Sequence, residues 1–541
     1  MRRWNGWGDD TIRYPLSERA LAFLRETVGE GAPPRDVSAA DVLTTMPATR
    51  LGQLPGQELI SVDAWPRLLH ARGQSLPDWV ALRSGSIPAF PDGVAFPLTQ
   101  SDVTRLLQYA AEIDARVIPY GGGTSVVGHI NPEPGDRPVL TISMRRMNQL
   151  TRLDSISLLA TFGAGVAGPE LEAHLRARGF TLGHFPQSFE FSTLGGWVAT
   201  RSSGQQSLGY GRIESLFAGG TLVAPAGELR LPPFPASAAG PDVRQLVLGS
   251  EGRVGLLTDV TVRITPLPEH EEFHAIFFPD FVDGMTAVRR IVQGQLPLSL
   301  LRLSTPTETR TTLALAGHER LIGLLETMLG IRGVGDEKCM LLCGFTGTAA
   351  VVRDARHATI DIAKEHGGVS AGRRFGEQWM EGRFRTPYLR NTLWDFGYAV
   401  DTLETATTWE RVPRMVEQIE VALHSAVPDG ESIHVFTHLS HVYPQGASIY
   451  TTYLFRLAAD PDETLRRWKA LKGAASSAIV RECGTISHQH GVGRDHAPYM
   501  EAEKGVLGMA ALLGATTAFD PDGRMNPGVL LNDHRTGGGN R

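Results

Sequence analysis

The sequence predicts an α+β fold of more than one domain, a cofactor-binding domain followed by a second domain of mixed strands and helices. Three observations carry that prediction. A strand–helix–strand run over residues 94–118 ends in the turn Pro119-Tyr120-Gly121-Gly122-Gly123-Thr124-Ser125. Two more glycine-bearing segments follow, Gly183 to Gly211 and Gly249 to Gly255. Beyond Pro266-Leu267-Pro268, strands and helices alternate again. A chain of 541 residues is also too long for one domain of ~100–200 residues.

The elements follow in order. Residues 1–85 read as a helical, proline-interrupted segment, with a helical start and apolar spacing from Ser17 to Leu24. Residues 94–96 form a short strand ended by Pro97. Ser101 caps a helix with Val103, Leu106, Leu107 and Ala110 on one face. The strand 116–118 then delivers the triple-glycine turn at its C-terminal end, the geometry of a βαβ unit. Strands are expected over 139–143, 158–162 and 260–264, and a helix from Gly168 with Pro169 in its first turn. The Pro-Leu-Pro run closes a domain over 86–268. A second domain over 269–500 carries strands at 273–278, 339–345 and 433–440, and helices near 282–293, 350–366 and 411–424. Residues 501–541 form a C-terminal segment whose end, from Thr536, reads as a frayed tail.

Composition narrows the function classes. Hydrophobic content of 42% and charged content of 20% describe an ordinary globular chain with ample core. A net charge of −6 excludes nucleic acid as the expected partner. Cys339, Cys343 and Cys483 show neither metal spacing nor an even framework, so a reducing, cytoplasmic setting is expected. The N-terminus lacks the apolar core of a secretory signal, and the C-terminus lacks a Ser-Lys-Leu signal. No apolar run is long enough to span a bilayer.

The glycine segments suit one large cofactor. Consecutive glycines let backbone approach a ligand directly, and their amides form a concavity for anions. The first segment, Pro119 to Ser125, would hold a pyrophosphate. The second runs Gln187-Ser188-Phe189-Glu190-Phe191-Ser192-Thr193, then Leu194-Gly195-Gly196 and Thr200-Arg201-Ser202-Ser203-Gly204. Its hydroxyls and small residues could border a flat ring. The third, Glu251-Gly252-Arg253-Val254-Gly255-Leu256-Leu257, would clamp an adenosine end. Three unrelated tight turns are the alternative.

In this order the segments resemble the FAD domain of the vanillyl-alcohol oxidase and p-cresol methylhydroxylase superfamily. The resemblance implies a PCMH-type domain of two subdomains binding FAD, an α+β cap domain, and a helical N-terminal segment. Thr124 stands where many members carry a tethering histidine, so non-covalent FAD is expected; His129 lies nearby. Within the superfamily the chain is similar to the alkyldihydroxyacetonephosphate synthase family over nearly its whole length. The likeness is carried by Arg3-Trp4-Asn5-Gly6-Trp7-Gly8, by Pro119 to Ser125, by Ser188 to Thr193, and by Ser487-His488-Gln489-His490-Gly491-Val492-Gly493. Asn526-Pro527-Gly528 is shared more widely among FAD-linked oxidases.

The family likeness implies a transferase of ether lipid biosynthesis. It exchanges the acyl group of an acylated triose phosphate for a fatty alcohol, with the substrate carbon held at the flavin N5. Tyr450 lines up with the family's acid/base tyrosine; as a base, its phenol would need nearby positive charge to lower a pKa of about 10. Arg390 aligns with a substrate-site arginine, and a guanidinium suits bidentate phosphate. Arg302, flanked by leucines, resembles an arginine near the flavin. His184 matches a histidine ahead of the second segment.

His488 and His490 are one residue apart, which on a strand would put them on one face and suit proton relay. They could instead bind metal, although the sequence offers no convincing third ligand. The family has three consecutive histidines there, whereas this chain has Gln489 in the middle, and Gln187 replaces a usual acidic residue. Each singled-out residue also has a structural explanation: a packed tyrosine, a surface salt bridge, a core histidine.

Apolar-rich stretches 433–455 and 505–515 could line an alkyl tunnel. Peripheral contact with a membrane surface and a homodimer are left open. The competing readings are an FAD-dependent oxidoreductase of a 2-hydroxy acid or small alcohol, and a flavin-binding protein without catalysis.

Overall fold

The computed structural model describes residues 2–52, 59–315 and 319–531, without the side chains of 319–321; the tail from Thr536 lies outside the described residues. Among the described residues, three main sheets organise the chain.

The first sheet runs Ile60–Ser61, Gly93–Ala95, Val139–Ser143, Arg116–Tyr120. Its last three strands are parallel, as a βαβ crossover requires. The crossover helix Gln100–Glu112 buries Val103, Leu106, Leu107 and Ala110 against Val117, Leu140 and Ile142. Full burial of one such leucine contributes ~1.5–3 kcal/mol. The expected cap is corrected: Thr99, not Ser101, is the N-cap, accepting from the Asp102 amide in a capping box. Ser101 lies inside the first turn.

The second sheet is antiparallel, in the order Leu150–Asp154, Leu159–Gly163, Leu256–Arg263, Phe217–Ala224, Gly227–Leu231. The third, also antiparallel, runs Val369–Gly372, His270–Phe278, Cys339–Gly347, Leu300–Ser304, Ile433–Tyr443, Gly446–Arg456, Tyr398–Thr408.

Strand alternation splits this third sheet into two faces. Ile433, Val435 and Leu439 pack with Ile449 and Tyr453 against residues of the helices Phe281–Gln293, Val412–Ser425 and Pro461–Arg481. The intervening His434, Phe436 and His438 face a cavity.

The N-terminal residues are not a separate helical block. Ile60–Ser61 adds an antiparallel strand to the first sheet, and Arg2 to Asp9 form a bridged turn. That turn docks on the helix Thr386–Asp395. The Trp7 amide donates to Asn391 Oδ1 (3.1 Å), and Asn391 Nδ2 donates to the Trp7 carbonyl (3.0 Å). Gly8, at φ 81°, lies flat against the Tyr388 ring, where a Cβ would come within 2.2 Å. At the other end of the chain, Asn526 returns to the first sheet. Its amide donates to the Val117 carbonyl, and its side chain donates to the carbonyls of His129 and Glu251.

Candidate active site

A cavity of about 1050 Å³ separates the first two sheets from the third, just above the ~300–1,000 Å³ range of small-molecule sites. One wall is glycine. A Cβ on Gly121 would lie 2.3 Å from Thr193 Oγ1, and one on Gly122 would lie 1.9 Å from the Phe191 carbonyl oxygen. A Cβ on Gly252, at φ 79°, would lie 2.8 Å from Pro119. The three segments therefore pack against one another. Pro119 to Ser125, Gln187, Ser188, Ser192, Thr193, Thr200, Ser202, Ser203, Glu251, Gly252 and Gly255 to Leu257 all reach the cavity surface. A side-chain-free cradle backed by hydroxyls fits a flat ring and a pyrophosphate, so the residues fit FAD.

Other residues expected at the cofactor do not line the cavity. Phe189 stacks on Phe384 (5.0 Å between ring centroids) and Phe191 meets Trp7 edge-on. Glu190 faces Tyr388. Arg201 turns to Gln245 and the Leu248 carbonyl, Arg253 donates to the Asn526 carbonyl, Gly204 lies under the Phe185 amide, and Val254 is core. These are corrections with one physical reason. In a contiguous motif, neighbouring side chains point different ways, and some of them hold the scaffold.

The opposite wall is built by register. Cross-strand partners share a face, and Glu404, Tyr450 and His438 are partners on three adjacent strands. The next row is Thr402, Thr452 and Phe436; the third is Val400, Leu454 and His434. Polarity thus falls away from the glycine wall. Ala20, Phe23 and Leu24 of the helix Glu18–Val28 close the apolar end.

Tyr450 lies between two imidazoles, stacked on His438 (5.0 Å, 21°) and edge-on to His490 (5.6 Å, 76°). Burial pushes its phenol well above the usual range. The lowered phenol that a base at this position would need is not found: burial outweighs the downward pull of Arg302. Arg302 reaches the cavity as part of a buried cluster. It pairs with Glu308, and His438 Nδ1 lies 3.0 Å from the same carboxylate. Burial works upward on Glu308, yet Arg302 and His438 hold it at about 2.

Arg390 lines the cavity, its guanidinium 4.3 Å from the Trp79 ring centroid. Nη1 donates to the Gln74 carbonyl; Nε and Nη2 are shielded from solvent without a protein partner. Burial pulls the group down to about 10, against the attraction of Asp401 and Asp78, so it stays charged at neutral pH.

His490 and Gln489 reach the cavity; His488 and His184 do not. The His488–His490 stretch is a bend and not a strand. His488 Nε2 lies 2.6 Å from the Tyr443 hydroxyl, one layer behind the wall. His184 is buried beside Trp197, with Nε2 3.2 Å from Ser202 Oγ, and burial drives it to about 3. Gln489 Oε1 accepts from His441 Nε2 (3.1 Å), and Ser207 Oγ lies 3.0 Å from Nδ1. His129 Nδ1 is 2.6 Å from Ser125 Oγ, and its Nε2 is 3.3 Å from Glu251. Among the described residues, no three potential metal ligands converge.

Sequence reasoning missed Glu404 and His438, which strand pairing sets beside Tyr450, Thr402, which pairs with Thr452, and Glu308, on the helix Pro306–Leu315; none of them carries a sequence motif. The stretch 505–515 is a correction: it belongs to the helix Met500–Phe519, does not line the cavity, and exposes Val506 and Leu507.

Two family models match the chain, the FAD binding domain over residues 91–231 and the C-terminal domain of FAD linked oxidases over 267–530. An alkyldihydroxyacetonephosphate synthase of Dictyostelium discoideum is 32% identical, over 98% of this chain and 93% of that protein. A solved structure of an alkyldihydroxyacetonephosphate synthase superposes with a TM-score of 0.82 at 27% identity, covering 97% of this chain and 98% of its own. p-Cresol methylhydroxylase shares the fold, with a TM-score of 0.67 at 14% identity, over 93% of this chain and 99% of its own.

Proposed function

The chain belongs to the alkyldihydroxyacetonephosphate synthase family, and we propose that it is an FAD enzyme exchanging the acyl group of acyl-dihydroxyacetone phosphate for a fatty alcohol. One observation carries the choice of substrate: Arg390 keeps its charge on the wall with two shielded, unpartnered donors. Leaving such a group unpaired costs several kcal/mol, and a phosphate supplies matching acceptors. The apolar rows beyond Tyr450 offer room for an alkyl chain.

When bound, FAD supplies a ring nitrogen able to bond reversibly to substrate carbon. The protein's own residues do the rest. Arg390 binds the phosphate. Tyr450 gives its proton to the departing carboxylate oxygen and regains one from the incoming alcohol, so acid and ether form with no net redox. The Arg302–Glu308–His438 cluster holds the ring of His438 under the phenol. Non-covalent FAD is supported by Thr124 in the first turn and by the hydrogen bond that ties His129 Nδ1 to Ser125. Peripheral contact with a membrane is supported by the poor water solubility of the substrates.

The test is direct. The purified protein is given palmitoyl-dihydroxyacetone phosphate and hexadecanol without oxygen. Ether product with no lasting flavin bleaching is expected. Colourless protein, or lasting bleaching by a 2-hydroxy acid with no ether formed, overturns the proposal.

A further inference from the structure

The bend that carries His488 and His490 is held from both sides by buried carboxylates. On the cap side, Glu404 is 1% exposed. Its Oε1 accepts the amides of Gln489 (2.5 Å) and His490 (2.6 Å). On the FAD side, Glu251 accepts the amides of Val492 (2.5 Å) and Gly493 (2.7 Å). The glycines between leave no slack. A Cβ on Gly491 would meet His129 Nε2 at 2.6 Å, and one on Gly493 would meet the Val127 carbonyl oxygen at 1.9 Å.

Holding two amides needs only an oxygen acceptor, and a glutamine would provide one. A buried carboxylate is far costlier than a carboxamide unless its charge is answered. Among the described residues, the ion-pair contacts of Glu404 are two imidazoles: His490 Nδ1 at 3.7 Å from Oε1 and His488 Nδ1 at 4.0 Å from Oε2. Oε2 has no hydrogen bond. Of the two rings, His490 is on the cavity wall, edge-on to Tyr450.

We propose that Glu404 is a positioning residue for the exchange: it sets the His490 ring against Tyr450, and its charge makes His490 the imidazole that takes the proton released by the incoming alcohol and hands it to Tyr450, replacing the one given to the departing carboxylate. This rests on the exchange proposed above. The groups facing His490 are Glu404 and Asp401, Lys472 and His129, with His488, His496 and Tyr450 adjoining. Burial lowers His490, and Glu404 is the largest opposing influence. His184 and His441 lack such a counter-charge and are driven by burial to about 3, as is His496 even with Asp401 acting upward. His488, one layer back, is lowered well below the usual range.

The experiment compares wild-type and Glu404→Gln holoenzyme, with the imidazoles followed by NMR in histidine-labelled protein and His490 assigned through His490→Asn. In the wild type, His490 titrates at higher pH than His184, His441 and His488. The reverse ranking overturns the proposal whether or not the variant folds. In Glu404→Gln, the carboxamide still accepts both amides. FAD content and KM for the acyl substrate stay within about twofold, kcat falls at least tenfold, and the His490 titration and the matching limb of the pH–kcat profile move to lower pH. An unmoved titration overturns the role of the charge even if kcat falls. A moved titration with unchanged kcat overturns the link to catalysis. Failure of wild-type protein to form ether removes the exchange reading and with it that link, while the titration still decides whether Glu404 charges His490.

Discussion

The two walls of the cavity are made in opposite ways. The glycine wall comes from three short segments, each nearly continuous in sequence. The sheet wall takes single residues from separate strands and aligns them: Thr402, Thr452 and Phe436 sit side by side, with Tyr450 beside His438, only because Tyr398–Thr408, Gly446–Arg456 and Ile433–Tyr443 pair in one register. A wall that meets its ligand through backbone is specified locally, since the absence of a side chain is a property of one residue. A wall that meets its ligand through side chains is specified by pairing, and a slip of one residue would send every one of them to the helix-packed face.

Substitutions on each wall should differ accordingly. The largest effect is expected from Gly122→Ala, whose Cβ would lie 1.9 Å from a backbone oxygen that cannot swing aside. The absorbance spectrum of the purified protein should lose its flavin bands. A yellow, stable variant would break the account of the glycine wall. Tyr450→Phe should lower kcat by ~10²–10⁴-fold, the usual worth of a positioned acid, with flavin absorbance and Tm kept. If FAD is lost instead, the walls are not separable.

Arg390→Lys comes next. Hydrogen bonds to charged groups contribute ~1.5–3 kcal/mol, so steady-state kinetics should show a KM for the phosphate-bearing substrate raised ~10–100-fold, with the KM for the alcohol unchanged. Equal shifts in both would place Arg390 outside the phosphate site.

The smallest effect is on stability. His184, behind the glycine wall, and His441, on the sheet wall, each fall from 6.5 to about 3 through burial. Their folded values lie below the unfolded one, so the stability linked to keeping them neutral is complete above pH ~6.5 and is lost as pH falls toward 3. Tm should drop between pH 7.5 and pH 5.5, and His184→Asn should flatten that drop. A pH-independent Tm would show that neither ring stays neutral on folding.

Much of the fold was legible because its signals are periodic. The helices expected near 282–293, 350–366 and 411–424 are Phe281–Gln293, Ala349–Glu365 and Val412–Ser425. The cap at Thr99 was missed because Ser101 is an equally good capping residue, and only the Asp102 pairing decides between them. Of the histidines, His184 and His488 were placed at the chemistry and lie behind it, while His490 lines the cavity. Sequence spacing told which rings were near, but not which way they pointed. Glu404 carried no signal at all, as one glutamate among many until a strand pairing set it beside Tyr450. The N-terminal signature was visible as a motif, yet its work, bracing the Arg390 helix through Trp7 and Asn391, spans 384 residues of the chain.

The order of residues alone determined the α+β class, the glycine cradle and its cofactor, because backbone freedom, turn chemistry and apolar period act over a few neighbours. Only the folded molecule decided which charges face the cavity and which answer one another, because those choices depend on register and burial, and both arise between segments that meet nowhere but in three dimensions.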